Sequence, residues 1–218
     1  MHPERCTFDG GVVKPSQSVR GTLYASDCER RRQDMEMQVT GKKISVLGAG
    51  KMGSILLQTL LNSGLLAPQL TRATVAHPDK ARALSTKLNI PVCTDNAQAV
   101  KDADVVLICV KPQVVQEVIE EIRQDITTDQ LLISVAASVP TSLIEKNLGK
   151  DVPVIRAMPN TPSLLRCGMA ALAKGKHASA SQLEMAAAMF NAVGRTVVLD
   201  EKHMDAVTAL SASGPAYF

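Results

Sequence analysis

Tryptophan is absent from this sequence, and aromatic residues make up only 2% of it. Single-stranded nucleic acids are gripped by stacking bases on aromatic side chains, so a platform of that kind is excluded. An excess of one charge is also missing. Lys and Arg number 24 against 21 Asp and Glu, and a net +3 spread along the chain leaves no footprint for phosphate backbones. No apolar run approaches the roughly 20 residues that cross a bilayer. The five cysteines, Cys6, Cys28, Cys93, Cys109 and Cys167, form no CxxC pair. The four histidines, His2, His77, His177 and His203, lack ligand spacing, so neither a metal site nor a disulfide framework is expected. A reducing compartment, the cytoplasm, is the default that follows.

What is present suits a globular core: 45% of the 218 residues are hydrophobic and 21% charged. Residues 1–40 stand apart. They contain Gly10-Gly11, Pro15 and the run Glu29-Arg30-Arg31-Arg32, with no apolar period of 2 or 3.6, and read as a disordered extension. Six acidic residues offset six basic ones there, and no apolar h-region occurs, so the segment makes a poor targeting peptide. From Lys42 onward strand-like and helix-like segments alternate. Ile44–Leu47, Thr74–Ala76, Val105–Val110, Leu131–Val135, Val152–Ala157, Met169–Ala173 and Thr196–Leu199 read as strands. Lys51–Asn62, Asp79–Asn89, Val114–Arg123 and Ser181–Val193 read as helices. The expected fold class is α/β, a Rossmann-type doubly wound sheet over 41–200, followed at 201–218 by the start of an all-α region.

The first strand runs straight into Gly48-Ala49-Gly50-Lys51-Met52-Gly53, which opens a helix. GxGxxG alone is a weak signal; between strand and helix it acquires a mechanism. Gly48 permits the turn, Gly50 lets backbone approach a pyrophosphate, and Gly53 allows close packing of helix on strand. The helix N-terminus offers free N–H groups to the phosphates. An NAD-type site places an acid at the end of the second strand, to hold the ribose 2′-hydroxyl. Here that position reads Val75-Ala76-His77-Pro78, and Asp79 follows only after the proline. With His77, Lys80 and Arg82 nearby, NADP(H) is favoured, with NAD as the lesser expectation. Lys111 and Pro112 follow the strand ending at Val110, and the small residues Val135, Ala136 and Ala137 would let backbone approach a nicotinamide. Asn96 is either a helix N-cap or a cofactor contact, and residue type alone favours the cap.

These residues resemble the pyrroline-5-carboxylate reductase family, over roughly Lys43 to Phe218. The resemblance rests on VLGAGKMG (46–53), VKP (110–112), RAMPNTP (156–162) and LSASGPAYF (210–218). It implies NADPH-dependent reduction of a cyclic imine, 1-pyrroline-5-carboxylate, to proline. It places Leu47, Gly48, Ala49, Gly50, Lys51 and Met52 at the cofactor pyrophosphate, with His77, Pro78 and Asp79 by the adenine ribose. It also makes Asn96 a cofactor contact, against the reading from residue type. Val110 and Lys111 fall at the nicotinamide side with Val135, Ala136 and Ala137. Met158, Pro159, Asn160, Thr161 and Pro162 form a loop bordering nicotinamide and substrate. The family continues past GPAYF into a helical domain that builds a homo-oligomer and much of the imine pocket, so the chain reads as cut short. Ser213-Gly214-Pro215-Ala216 then reads as the start of a helix. Met204, Val207 and Leu210 suit a helix face whose neighbour is missing, while His203 and Asp205 read as a solvated helix start. Cys109 and Cys167 read as buried small apolar residues. No catalytic acid stands out and no metal is expected. Two other readings compete: a β-hydroxyacid dehydrogenase, and a non-catalytic dinucleotide-binding module.

Overall fold

The computed structural model describes residues 39–160 and 168–213, all within one compact unit spanning Met35–Phe218. Residues 1–38, 161–167 and 214–218 lie outside that description, and with them Cys6, Cys28, His2, Thr161, Pro162, Cys167 and the Gly214–Ala216 segment.

Among the described residues eight strands form one sheet in the order β3-β2-β1-β4-β5-β6-β7-β8. They are β1 (Ile44–Leu47), β2 (Thr71–Thr74), β3 (Val92–Cys93), β4 (Val105–Ile108), β5 (Leu131–Ser134), β6 (Val154–Pro159), β7 (Gly168–Lys174) and β8 (Gly194–Val198). The first six are parallel; β7 runs antiparallel to β6, and β8 parallel to β7. Among the described residues seven α-helices accompany them: α1 (Lys51–Asn62), α2 (Pro78–Leu88), α3 (Asn96–Val100), α4 (Val115–Ile122), α5 (Thr141–Leu148), α6 (Ala180–Asn191) and α7 (Met204–Val207).

Strand alternation explains the double winding. In β4, Val105 and Leu107 pack with α1 and α6 on one face, while Val106 and Ile108 pack with α4 and α5 on the other. All four are buried, which is why the strand is a continuous apolar run without polar alternation. Helix α4 buries Val115, Val118, Ile119 and Ile122, the i, i+3, i+4, i+7 stripe of a helix lying on a sheet. Helix α6 begins at a capping box, with Ser179 accepting from the Gln182 backbone N–H while the Gln182 side chain accepts from the backbone N–H of Ser179. Among the described residues no helix is long and apolar enough to cross a membrane.

Several boundaries differ from the sequence reading. The second strand is Thr71–Thr74, three residues earlier than Thr74–Ala76. Its buried Thr71 and Thr74 look polar in sequence, but their hydroxyls donate to the Ala67 carbonyl and the Asn96 side chain. The cap of α3 is Asp95, whose carboxylate accepts from the Gln98 N–H, so Asn96 is the first helical residue and not the cap. Met204 does not await a missing neighbour: it is buried against Met158, Ala171 and Ala173 of this chain. Val207 packs partly on the same cluster, whereas Leu210 is exposed. Helical turns run from Met204 through Ser213, and the rest of the expected helix start, Gly214–Ala216, lies outside the described residues.

Candidate functional site: a groove at the switch point of the sheet

Beyond β1 the strand order reverses, with the chain crossing to β2 on one side and later to β4 on the other. Ligands of doubly wound sheets bind at the carboxyl ends of the strands flanking such a point. The glycine turn sits there. Gly48 has φ +81°, and a Cβ on it would collide with Cγ1 of Val110. A Cβ on Gly53 would stand 2.7 Å from the Gly48 carbonyl oxygen and 3.0 Å from Cβ of Cys109. Both glycines are therefore required by packing between the ends of β1 and β4. Gly50 differs, since a Cβ there would meet nothing within 4 Å. It lies on the open side of the turn and precedes α1 as its cap residue, without a side-chain capping bond. The N–H groups of the first helical turn have no intrahelical acceptors and are available there. This turn fits a dinucleotide diphosphate: two glycines fix the backbone, and the third keeps the approach clear.

Beside the turn lies a groove of about 270 Å³, lined by Met52, Cys109, Val110, Pro112, Val135, Ala136, Ala137, Met158, Pro159 and Asn160. Four separate segments meet in it, from the ends of β4, β5 and β6 and the start of α1. Every lining residue except Cys109 was expected at the site from the sequence, and Cys109 was read there as a buried small apolar residue. The chain leaves β5 through Ser138 at φ +59°, a conformation costly for a non-glycine residue, as it passes from Ala137 towards α5. Asn160 is fixed by accepting from the Met169 N–H at 2.9 Å. Burial pushes the Cys109 thiol up to about 12, so it stays neutral and acts as an apolar wall. Among the described residues no group of three or more His, Cys, Asp or Glu could hold a metal ion.

The remaining sequence-predicted residues do not line the groove. The Leu47 side chain is wholly buried in the core, and its carbonyl accepts from the Cys109 N–H. Lys51 opens α1 and is exposed. Exposed His77 is the cap residue of α2, with Pro78 and Asp79 in its first turn. Lys111 precedes the short 3-10 turn Pro112–Val114 and is exposed. The Asn96 side chain is held by Thr74 and Glu121. Two polar residues escaped the sequence reading. Thr74 accepts from the Gly48 N–H at 3.1 Å, and buried Arg156 on β6 faces Glu201 and Asp205. A threonine in a strand carries no signal of its own. An arginine inside RAMPNTP could have been flagged as a charge within a buried strand.

Fold and turn together define a dinucleotide-binding α/β domain. Residues 43–138 match the domain family described as NADP oxidoreductase, coenzyme F420-dependent. The chain is 40% identical to the pyrroline-5-carboxylate reductase of Methanosarcina acetivorans over 176 residues, covering 81% of this chain and 65% of that protein. It is 41% identical to the Pseudomonas aeruginosa enzyme of the same name, covering 81% of this chain and 64% of that one. Among solved structures, a pyrroline-5-carboxylate reductase from Coxiella burnetii superposes with a TM-score of 0.76 at 35% identity, covering 81% of this chain and 66% of that chain. The Plasmodium falciparum enzyme, described with NADP bound, superposes at 0.72 and 25% identity, covering 81% of this chain and 64% of that one. Over four-fifths of its length this chain is a relative of the pyrroline-5-carboxylate reductases, and it spans just under two thirds of theirs.

Proposed function

We propose that the chain carries the NADP(H)-binding part of a reductase that converts 1-pyrroline-5-carboxylate to L-proline, the last step of proline biosynthesis, in the cytoplasm. The observation that carries this reading is the groove itself, in which the ends of β4, β5 and β6 meet a glycine turn whose open side is Gly50. The bound cofactor supplies a hydride from its nicotinamide ring. The chain's own residues bind and orient. Backbone N–H groups of the first turn of α1, next to Gly50, hold the diphosphate. Small side chains at Ala136 and Ala137 leave room for a flat ring against the backbone, and Met52, Val110 and Met158 keep water from its face. The end of β6, Met158 and Pro159, and Asn160 after it border the space where an imine would stand. On this reading residues 41–200 are the cofactor domain, and 201–218 begin the helical region to which the family resemblance assigns the homo-oligomer contact.

One observation favours a second reading. The groove is lined mostly by apolar and small residues that receive a dinucleotide, and a dinucleotide-binding module needs no more than that. NADPH oxidation by the purified chain with pyrroline-5-carboxylate separates the two. Turnover supports the reductase. Binding of NADPH without turnover supports the module, and failure to bind either dinucleotide overturns both. A hydroxyacid with NADP in the same assay tests the dehydrogenase reading, which requires turnover there.

A further inference from the structure

The Thr74 side chain is buried, so its hydroxyl needs partners. It has two. It accepts from the Gly48 N–H at 3.1 Å and donates to Oδ1 of Asn96 at 2.6 Å. The other end of the Asn96 amide, Nδ2, donates to Oε2 of Glu121 at 2.6 Å, across to helix α4. The Thr74 main chain grips the same turn a second time, its carbonyl accepting from the Ala49 N–H at 2.7 Å. These bonds run in one direction for a chemical reason. An ionised carboxylate only accepts, so Glu121 selects the NH₂ end of Asn96. The amide oxygen is thereby left facing Thr74, whose single proton must go to it. The threonine lone pairs then remain for Gly48, at the one residue of the turn with φ +81°.

We propose that Thr74, Asn96 and Glu121 are a positioning relay for the glycine turn, in which an exposed carboxylate on α4 sets the polarity of a hydrogen-bond chain ending at the Gly48 N–H. Asn96 serves as the middle link whether or not its remaining amide N–H also meets a ribose. The relay orients the peptide planes on which a dinucleotide diphosphate rests, and so it rests on the cofactor reading above. It touches no reacting atom.

The test uses the full chain and two readouts: amide hydrogen exchange at Gly48 without ligand, and NADPH affinity by fluorescence titration. Thr74→Val removes the hydroxyl at nearly constant shape, and Thr74→Ser keeps it. Thr74→Val should speed exchange at Gly48 and weaken NADPH binding about tenfold, the worth of one hydrogen bond, while Thr74→Ser stays within about twofold of the parent. Glu121→Ala should weaken binding about threefold from its exposed position, and Glu121→Gln, which still accepts through its amide oxygen, should restore it. The relay is overturned if Gly48 exchange is unchanged in Thr74→Val, or if Thr74→Ser fails to rescue what Thr74→Val loses. It is equally overturned if Glu121→Ala leaves both readouts at parent values. If the parent chain binds neither NADPH nor NADH, the cofactor reading falls, and Gly48 exchange alone decides the relay.

Discussion

Removing the carboxylate of Glu201 should destabilise this chain strongly, because its partner Arg156 is only 4% exposed. Its Nη1 lies 3.6 Å from Oε1 of Glu201, its Nη2 lies 3.3 Å from Oδ1 of Asp205, and its buried Nε has no hydrogen-bond partner among the described residues. The two acids are not equivalent. Glu201 is 23% exposed and also accepts from the Thr141 N–H at 2.8 Å and the Thr141 hydroxyl at 2.6 Å, closing the start of α5. Asp205 is 84% exposed, and among the described residues it meets Arg156. Breaking a buried pair by deleting one partner costs about 3–5 kcal/mol, since the other charge is left uncompensated. Asp205 still faces the guanidinium, which argues for the lower end, and the lost cap of α5 adds about 1 kcal/mol. Glu201→Ala should therefore destabilise by about 3–4 kcal/mol. Asp205→Ala should cost less than about 1 kcal/mol, as solvent-screened pairs do. The decisive variant is the double substitution Arg156→Met with Glu201→Ala. Once the buried charge is gone, Met can fill much of the space in an apolar cluster that already holds Met158 and Met204. Urea unfolding followed by circular dichroism should place the double variant above Glu201→Ala alone. If the double variant is less stable than Glu201→Ala, or if Asp205→Ala costs as much as Glu201→Ala, the buried-charge reasoning is refuted.

Three further expectations follow from the site. Gly48→Ala should unfold the chain at markedly lower urea, because it demands φ +81° and meets Val110, whereas Gly50→Leu should keep the urea midpoint and abolish NADPH binding; unchanged affinity in Gly50→Leu would remove the diphosphate from the turn. Cys109 makes the chain sensitive to alkali: its thiol pKa is about 12 when folded and 9.0 as the ordinary value, so the folded state holds the proton more tightly and stability is lost as pH rises above 9. The loss should reach about 1.4 kcal/mol at pH 10 and vanish in Cys109→Ala, as read from the difference between urea midpoints at pH 8 and pH 10. NADPH should bind more tightly than NADH, and Lys80→Ala with Arg82→Ala should narrow the gap; equal affinities in the parent chain would end the reading of that helix start as a 2′-phosphate neighbour.

The parts of this fold that were legible in the sequence are those whose cause is local. The run Val105–Ile108 is apolar because both faces of β4 are covered, and the α4 stripe has helical spacing because one side meets the sheet. The glycine turn was legible because steric demand at Gly48 and Gly53 leaves glycine as the one residue that fits. What escaped reading depends on partners far along the chain. Helix α5 follows a proline and has no capping residue of its own; the acceptor for its first turn is Glu201, 60 positions away. Strand β2 hides behind Thr71, Arg72 and Thr74, and it became a strand through pairing with β1 and β3 and through satisfied hydroxyls. Arg156 looked like one letter of a motif, although its burial dictates the two acids that follow it by about 50 residues. The same logic separates the two polar systems near the groove. Thr74, Asn96 and Glu121 act on the turn that receives phosphate, whereas Arg156, Glu201 and Asp205 fix the segment entering α7 against the sheet. Substitutions in the first should change affinity with little loss of stability, and those in the second should do the reverse.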